Sequence, residues 1–159
     1  MYIPRLLFLS LLISACVVPA AAQAPSDNIP GSFYSEPVVL PQDAQASLRA
    51  GHIVSFPARQ VSQTLADGLR TQSVGAVNFE HIRTYVDDIV SVSESEIRET
   101  MRILSTNAKT VAEPSGAVAP AAFLFHADQL PATSVNVAVI SGGNIDPALL
   151  AELRHGGPV

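Results

Sequence analysis

Residues 93–144 allow little besides alternating helices and strands. Ser93-Glu94-Ser95-Glu96 has the form of a capping box, in which the serine hydroxyl takes the Glu96 amide and the Glu96 carboxylate reaches back. Apolar residues follow at Ile97, Met101, Leu104, Ala108 and Val111, in steps of four, three, four and three. That is helix periodicity, and it predicts a helix ending near Val111, before Glu113-Pro114. Gly116 to Phe125 is apolar and alanine-rich, which predicts a second, well-buried helix. Ser134 to Ile140 (SVNVAVI) is valine-rich and bounded by Pro131 and Gly142, which predicts a buried strand. Pro147 to Leu153 is a last short helix.

Upstream the pattern is looser. Asp43 to Ala50 (DAQASLRA) holds strong helix formers and stops at Gly51, a suitable C-cap. His52 to Phe56 alternates and is expected as a short strand ending at Pro57. Leu65 to Gly75 is expected as a loop with a short helical piece, and Asn78 to Tyr85 as a helix. Ile89, Val90 and Val92 mark a short strand. Strands alternating with helices point to an α/β layered domain. Residues 25–42 contain Pro25, Pro30, Gly31, Pro37 and Pro41, a loop-rich connection with room for one short strand.

Composition excludes more than it proposes. The chain has 159 residues, enough for one domain, and 48% of them are hydrophobic, too many for a disordered tail. The net charge of −5 leaves no basic face for a nucleic-acid partner. Cys16 is the only cysteine, so there is neither an internal disulfide nor a cysteine zinc site. His52, His81, His126 and His155 lie far apart without ligand spacing and are expected as surface or cap residues.

Three segments carry chemistry-bearing residues. The run V-N-V-A-V-I-S-G-G-N-I-D, residues 135–146, puts a Gly-Gly pair beyond a strand end. Ligands of open α/β sheets bind there, and an ordinary turn has the same form. Val111 to Ala117 (VAEPSGA) is a helix-break-helix junction with proline at the first helical position. Leu65 to Thr71 (LADGLRT) is by itself a polar loop.

Taken together, S-G-G-N-I-D, E-P-S-G-A, A-D-G-L and the V-D-D-I of Val86 to Ile89 resemble the C-terminal half of the threonine dehydratase (threonine ammonia-lyase)/serine racemase family, from about Val38 to Asp146. The resemblance implies a partial three-layer α/β fold of the tryptophan synthase beta-like, fold type II class, with residues 43–155 as the C-terminal part of its large domain. It implies pyridoxal phosphate (PLP) as cofactor, with Ser141, Gly142 and Asn144 at its ring, Ser141 opposite the pyridine nitrogen. It also sets Glu113 beside the ring and Gly68 and Leu69 against it, with Asp67 nearby. The parent reaction is deamination of L-threonine or L-serine to a 2-oxo acid and ammonia, or serine racemisation. A neutral serine partner leaves the ring nitrogen unprotonated, which favours elimination or racemisation over transamination. The implied metal site, for Mg2+ or Ca2+, takes Glu36, the Pro41 carbonyl and Asp43. The Glu-to-Asp spacing there is one residue longer than the family's, and an Asp-Asp pair has become Gln42-Asp43.

The family's Schiff-base lysine belongs to its N-terminal half. This chain has one lysine, Lys109, at the position of a different family lysine. The resemblance therefore leads to cofactor-facing residues without covalent catalysis, and to a homodimer or a separate lysine-bearing half as partner. Residues 1–24 stay open. Arg5, the apolar run Leu6–Val18 and the small residues to Ala24 match an export signal, and Ile13 to Cys16 resembles a lipoprotein box. Leu12 to Val18 equally resembles the start of a decayed family helix, or a start codon inside a longer reading frame. The first leads to an exported, non-enzymatic protein and the second to a cytoplasmic one.

Overall fold

A computed structural model describes residues 16–19, 33–37 and 42–155. Among the described residues four strands form one sheet in the order β3-β2-β1-β4. They are β1 (Cys16–Pro19), β2 (Phe33–Pro37), β3 (Asp88–Val92) and β4 (Asn136–Ala138). β2 and β3 pair in parallel, whereas β1 runs antiparallel to both β2 and β4. Six helices accompany them: α1 (Asp43–Ala50), α2 (Ala58–Val61), α3 (Ala76–Tyr85), α4 (Glu94–Thr106), α5 (Pro114–Phe125) and α6 (Pro147–His155).

The two faces of β3 show how the layers are built. Val90 and Val92 point into a core with Ile97 and Met101 of α4, Ala117 to Ala122 of α5 and Leu153 of α6. Ile89 points the other way, onto Ala44 of α1 and Ile82 of α3. The expected layered α/β arrangement is present, three layers deep at β3. From Pro114 to Ala122, α5 is buried on all sides, and small residues there let α4 approach closely. Its last turn differs from the expectation: Phe123, Leu124 and Phe125 are each at least 40% exposed.

Local signals fix the helix starts and stops. Ser93 Oγ accepts the Glu96 N–H (3.2 Å), and Glu96 Oε2 accepts the Ser93 N–H (2.6 Å), the two halves of the capping box. His126, just past α5, sets its Nε2 3.1 Å from Glu96 Oε1 and so joins the end of α5 to the start of α4. α1 ends at Gly51, whose φ of 72° is left-handed. The extra Cβ of any other residue would strain that turn.

The Glu96 arrangement predicts a pH dependence. Partial burial raises the Glu96 carboxyl, but hydrogen bonds from Ser93 and His126 outweigh it, and the group titrates below the usual glutamate range. A carboxyl depressed by folding contributes stability above its unfolded pKa and loses it as pH falls through the folded value. Asp43 has the opposite sign. Its burial outweighs the hydrogen bond from Thr71 and raises its pKa, so its contribution is present in acid and lost as pH rises. We expect urea midpoints of the wild type to fall on acidification below about pH 4, and Glu96→Gln to show a smaller fall. An equal acid loss in that variant would remove Glu96 from the account.

Four further sequence expectations are corrected. His52–Phe56 is not a strand; the Phe56 N–H donates to the Gln72 carbonyl, the Val54 N–H to Ser47 Oγ, and His52 Nδ1 lies 3.1 Å from the Ala50 carbonyl. Alternation alone makes no strand without a neighbour to pair with. α4 stops at Thr106, not near Val111, because Lys109 adopts φ 55° and Thr110 N–H turns back to the Leu104 carbonyl. β4 covers only Asn136–Ala138 and is not buried: Val135 and Val137 are 48% and 44% exposed. It is an edge strand, and the α1–α3 layer stands over β3 at the opposite edge. Finally, Cys16–Pro19 is a strand rather than part of a helix, as its β-branched Val17-Val18 pair favours. The rest of residues 1–24 lies outside the described residues. The one short strand allowed within 25–42 is β2.

Candidate functional site: a wall of three loops

The three motifs meet. The loop after β4 (Ser141–Asn144) lies on the junction between α4 and α5, and a turn of 3-10 helix, Asp67–Leu69, lies against the first turn of α5. The contacts are backbone-close. The Glu113 N–H donates to the Gly142 carbonyl (3.0 Å), and the Asn144 N–H donates to Glu113 Oε2 (3.0 Å). A Cβ on Gly116 would sit 2.7 Å from the Gly142 oxygen, and one on Gly143 would sit 2.9 Å from the Val111 oxygen. Neither distance is one that packed atoms tolerate, so both positions require glycine.

On the other flank, the Gly68 N–H is shared between Asp67 Oδ1 (2.9 Å) and Ser115 Oγ (3.0 Å). Ser115 is 1% exposed. Sequence reasoning quoted Ser115 inside its motif and gave it no role. The available signal was a small hydroxyl just after the helix-starting proline, where a turn N–H seeks an acceptor. Gly116 likewise stands in its motif without a role, and Gly143 has one only as half of the Gly-Gly pair. Of the expected ring-facing residues, Gly68, Glu113, Gly142 and Asn144 are thus joined into one surface. Ser141 is exposed on it at the loop's start. Leu69 is half-buried and packs against the main core.

The metal expectation gains no support. Asp43 is buried, and its Oδ2 accepts the Thr71 hydroxyl (3.0 Å), which ties α1 to the chain after the 3-10 turn. Glu36 lies in β2, of which only the backbone is described, and Pro41 is outside the described residues. Among the described residues no group of three His, Cys, Asp or Glu is placed to hold a metal ion.

A family model described as pyridoxal-phosphate dependent enzyme matches residues 12–142. The chain belongs to this family. It is 34% identical over 145 residues to L-threo-3-hydroxyaspartate ammonia-lyase of Saccharomyces cerevisiae, covering 91% of this chain and 42% of that protein. It is 40% identical over 115 residues to L-threonine ammonia-lyase of Thermotoga maritima, covering 72% of this chain and 27% of that protein. Among solved structures, a threonine deaminase from T.th. superposes with a TM-score of 0.63 at 41% identity, covering 72% of this chain and 40% of that one. Maize serine racemase superposes with a TM-score of 0.63 at 29% identity, covering 76% and 36%. The fold is therefore part of a fold type II PLP-enzyme domain. The chain spans less than half the length of these relatives.

How far do the residues present fit the family's cofactor? The wall fits the ring-facing side of such a group. Its exposed members are a neutral hydroxyl beyond a strand end, Ser141, and the Gly68 backbone, with the Gly142 backbone half-buried beside Glu113. They do not fit covalent attachment. Lys109 is exposed on the α4–α5 connection, and its Nζ donates to the Thr106 carbonyl (2.7 Å) on its own turn.

Proposed function

We propose that the chain supplies the ring-facing wall of a PLP-dependent ammonia-lyase or racemase acting on small hydroxy amino acids of the L-threonine and L-serine class. The reading rests on the meeting of Gly68 with Ser115 and of Glu113 with Gly142 and Asn144 on one surface. PLP, when bound, supplies the electron sink that loosens bonds at the substrate's α-carbon. Ser141 would face the ring nitrogen as a neutral hydroxyl. Gly68 and Gly142 would let their loops close onto Ser115 and Glu113, and Ser115 would hold the Gly68 turn in register. These 159 residues contain no lysine at the wall, so the isolated chain is catalytically silent.

Titrating the 15N-labelled chain with millimolar pyridoxine phosphate, which has no aldehyde, tests the wall directly. Amide shifts confined to Gly68 and Ser141–Asn144 are expected, with no ammonia released from L-threonine or L-serine when PLP is supplied. Shifts scattered elsewhere would sink the proposed wall, and turnover would sink the proposed silence.

For location we propose the cytoplasm. The family match starts at residue 12, inside the apolar run, and Cys16–Pro19 is hydrogen-bonded between β2 and β4. A segment built into a sheet is poorly suited to removal as a signal. The intact mass of the same purified sample reads the N-terminus. Loss of residues 1–22 or 1–24, or lipid on Cys16, would establish export instead.

A further inference from the structure

We infer that Glu113 is a positioning residue: its carboxylate latches the Ser141–Asn144 loop to the start of α5. The inference deepens the proposed wall and relies on that reading only for what the latch serves. Three observations carry it. Glu113 is bonded to the loop twice in opposite senses, its N–H to the Gly142 carbonyl and its Oε2 from the Asn144 N–H, each at 3.0 Å. Bonds at Gly142 and at Asn144, two residues apart in the loop, fix its position and its tilt, as one could not.

The second observation is a renunciation. Glu113 is the N-cap of α5, where an acceptor side chain ordinarily takes an N–H of the helix's own first turn. Its side chain makes no such bond. Pro114 at the first helical position removes one of the first turn's unpaired N–H groups and presets its φ, which helps α5 start without a side-chain cap. The carboxylate is thereby released to the loop.

The third is steric. A Cβ on Gly142 would lie 2.5 Å from Glu113 Oε1 and 2.9 Å from Oε2. A side chain at 142 would therefore displace the Glu113 carboxylate, whatever the ligand. Gly142 and Glu113 act as one device: alanine at 142 should displace the carboxylate and open the latch much as removing the carboxylate does.

Amide hydrogen exchange on the 15N-labelled full chain, with no PLP present, tests this. In Glu113→Ala and in Gly142→Ala the Asn144 amide should exchange about tenfold faster, the scale of one charge-assisted hydrogen bond. The double variant should be no faster than either, and α4 core amides such as Met101 should be unchanged. Glu113→Gln keeps an acceptor oxygen and should restore most of the protection. An unchanged Asn144 rate in Glu113→Ala, or no rescue by glutamine, overturns the latch. Should the alanine variants not fold, the wild type decides. Its Asn144 amide shift must follow the titration of the Glu113 side-chain carboxyl carbon, and independence of the two overturns the proposal. Failure here leaves the pyridoxine phosphate titration untouched, so the two readings fall separately.

Discussion

Ile97→Ala should cost the fold about 2–5 kcal/mol, a large share of a small domain's total stability. Ile97 has no exposed surface and directly follows the capping box, in the core that α4 shares with α5 and β3. Its neighbours there are mostly alanines and valines with short side chains. They cannot swing in to fill the space, so the cavity term adds to the lost transfer energy. Urea unfolding followed by circular dichroism gives the number. A loss under about 1 kcal/mol would mean that the α4–α5 seam is not the main source of cohesion.

Gly116→Ala sets two effects against each other, and the magnitudes decide the sign. Alanine in a helix gains about 1 kcal/mol over glycine. Here, however, the new Cβ would meet the Gly142 oxygen at 2.7 Å and its nitrogen at 3.0 Å. Those are backbone atoms, so no side-chain rotation relieves the contact. Overpacking of this kind costs about 1–3 kcal/mol. Parting the two segments also weakens the bond from the Glu113 N–H to the Gly142 carbonyl, worth about 1 kcal/mol. We expect a net loss of about 1–3 kcal/mol. The same variant should show shifted amides at Ser141–Asn144 in a 15N spectrum. A stabilised variant would show that the loop yields freely, and that the close approach is not required.

What could be read from the sequence was local in origin. The capping box at Ser93 and Glu96, the stop at Gly51 and the proline start of α5 each depend on atoms within a few residues, so spacing alone betrays them. The three loops of the wall were found because their motifs resemble a family, not because anything in their local pattern joins them. What binds them was invisible: Ser115 with Gly68 is a contact across 47 residues, and Asn144 with Glu113 one across 31. The same limit explains the strand errors. His52–Phe56 and Ser134–Ile140 both alternate or run apolar as strands do. Whether a strand forms, and how deeply it is buried, depends on neighbours far along the chain. The early end of α4 has a different cause. Ala108 and Val111 continue the helical spacing of Leu104 by coincidence, across a left-handed Lys109 that no periodicity reveals.

The pairing of β1 with β4 has a kinetic meaning. Val17 and Ala138 are partners across more than a hundred residues, whereas α4 and α5 are joined by a short connection. Closing the longer loop costs about 1.5 kcal/mol more in chain entropy than closing one of some twenty residues. Contacts that local should form early, and the β1–β4 pairing late. The loop that bears Ser141 begins just beyond β4. The wall is thus assembled at the slow end of folding, on a scaffold of helices already in place.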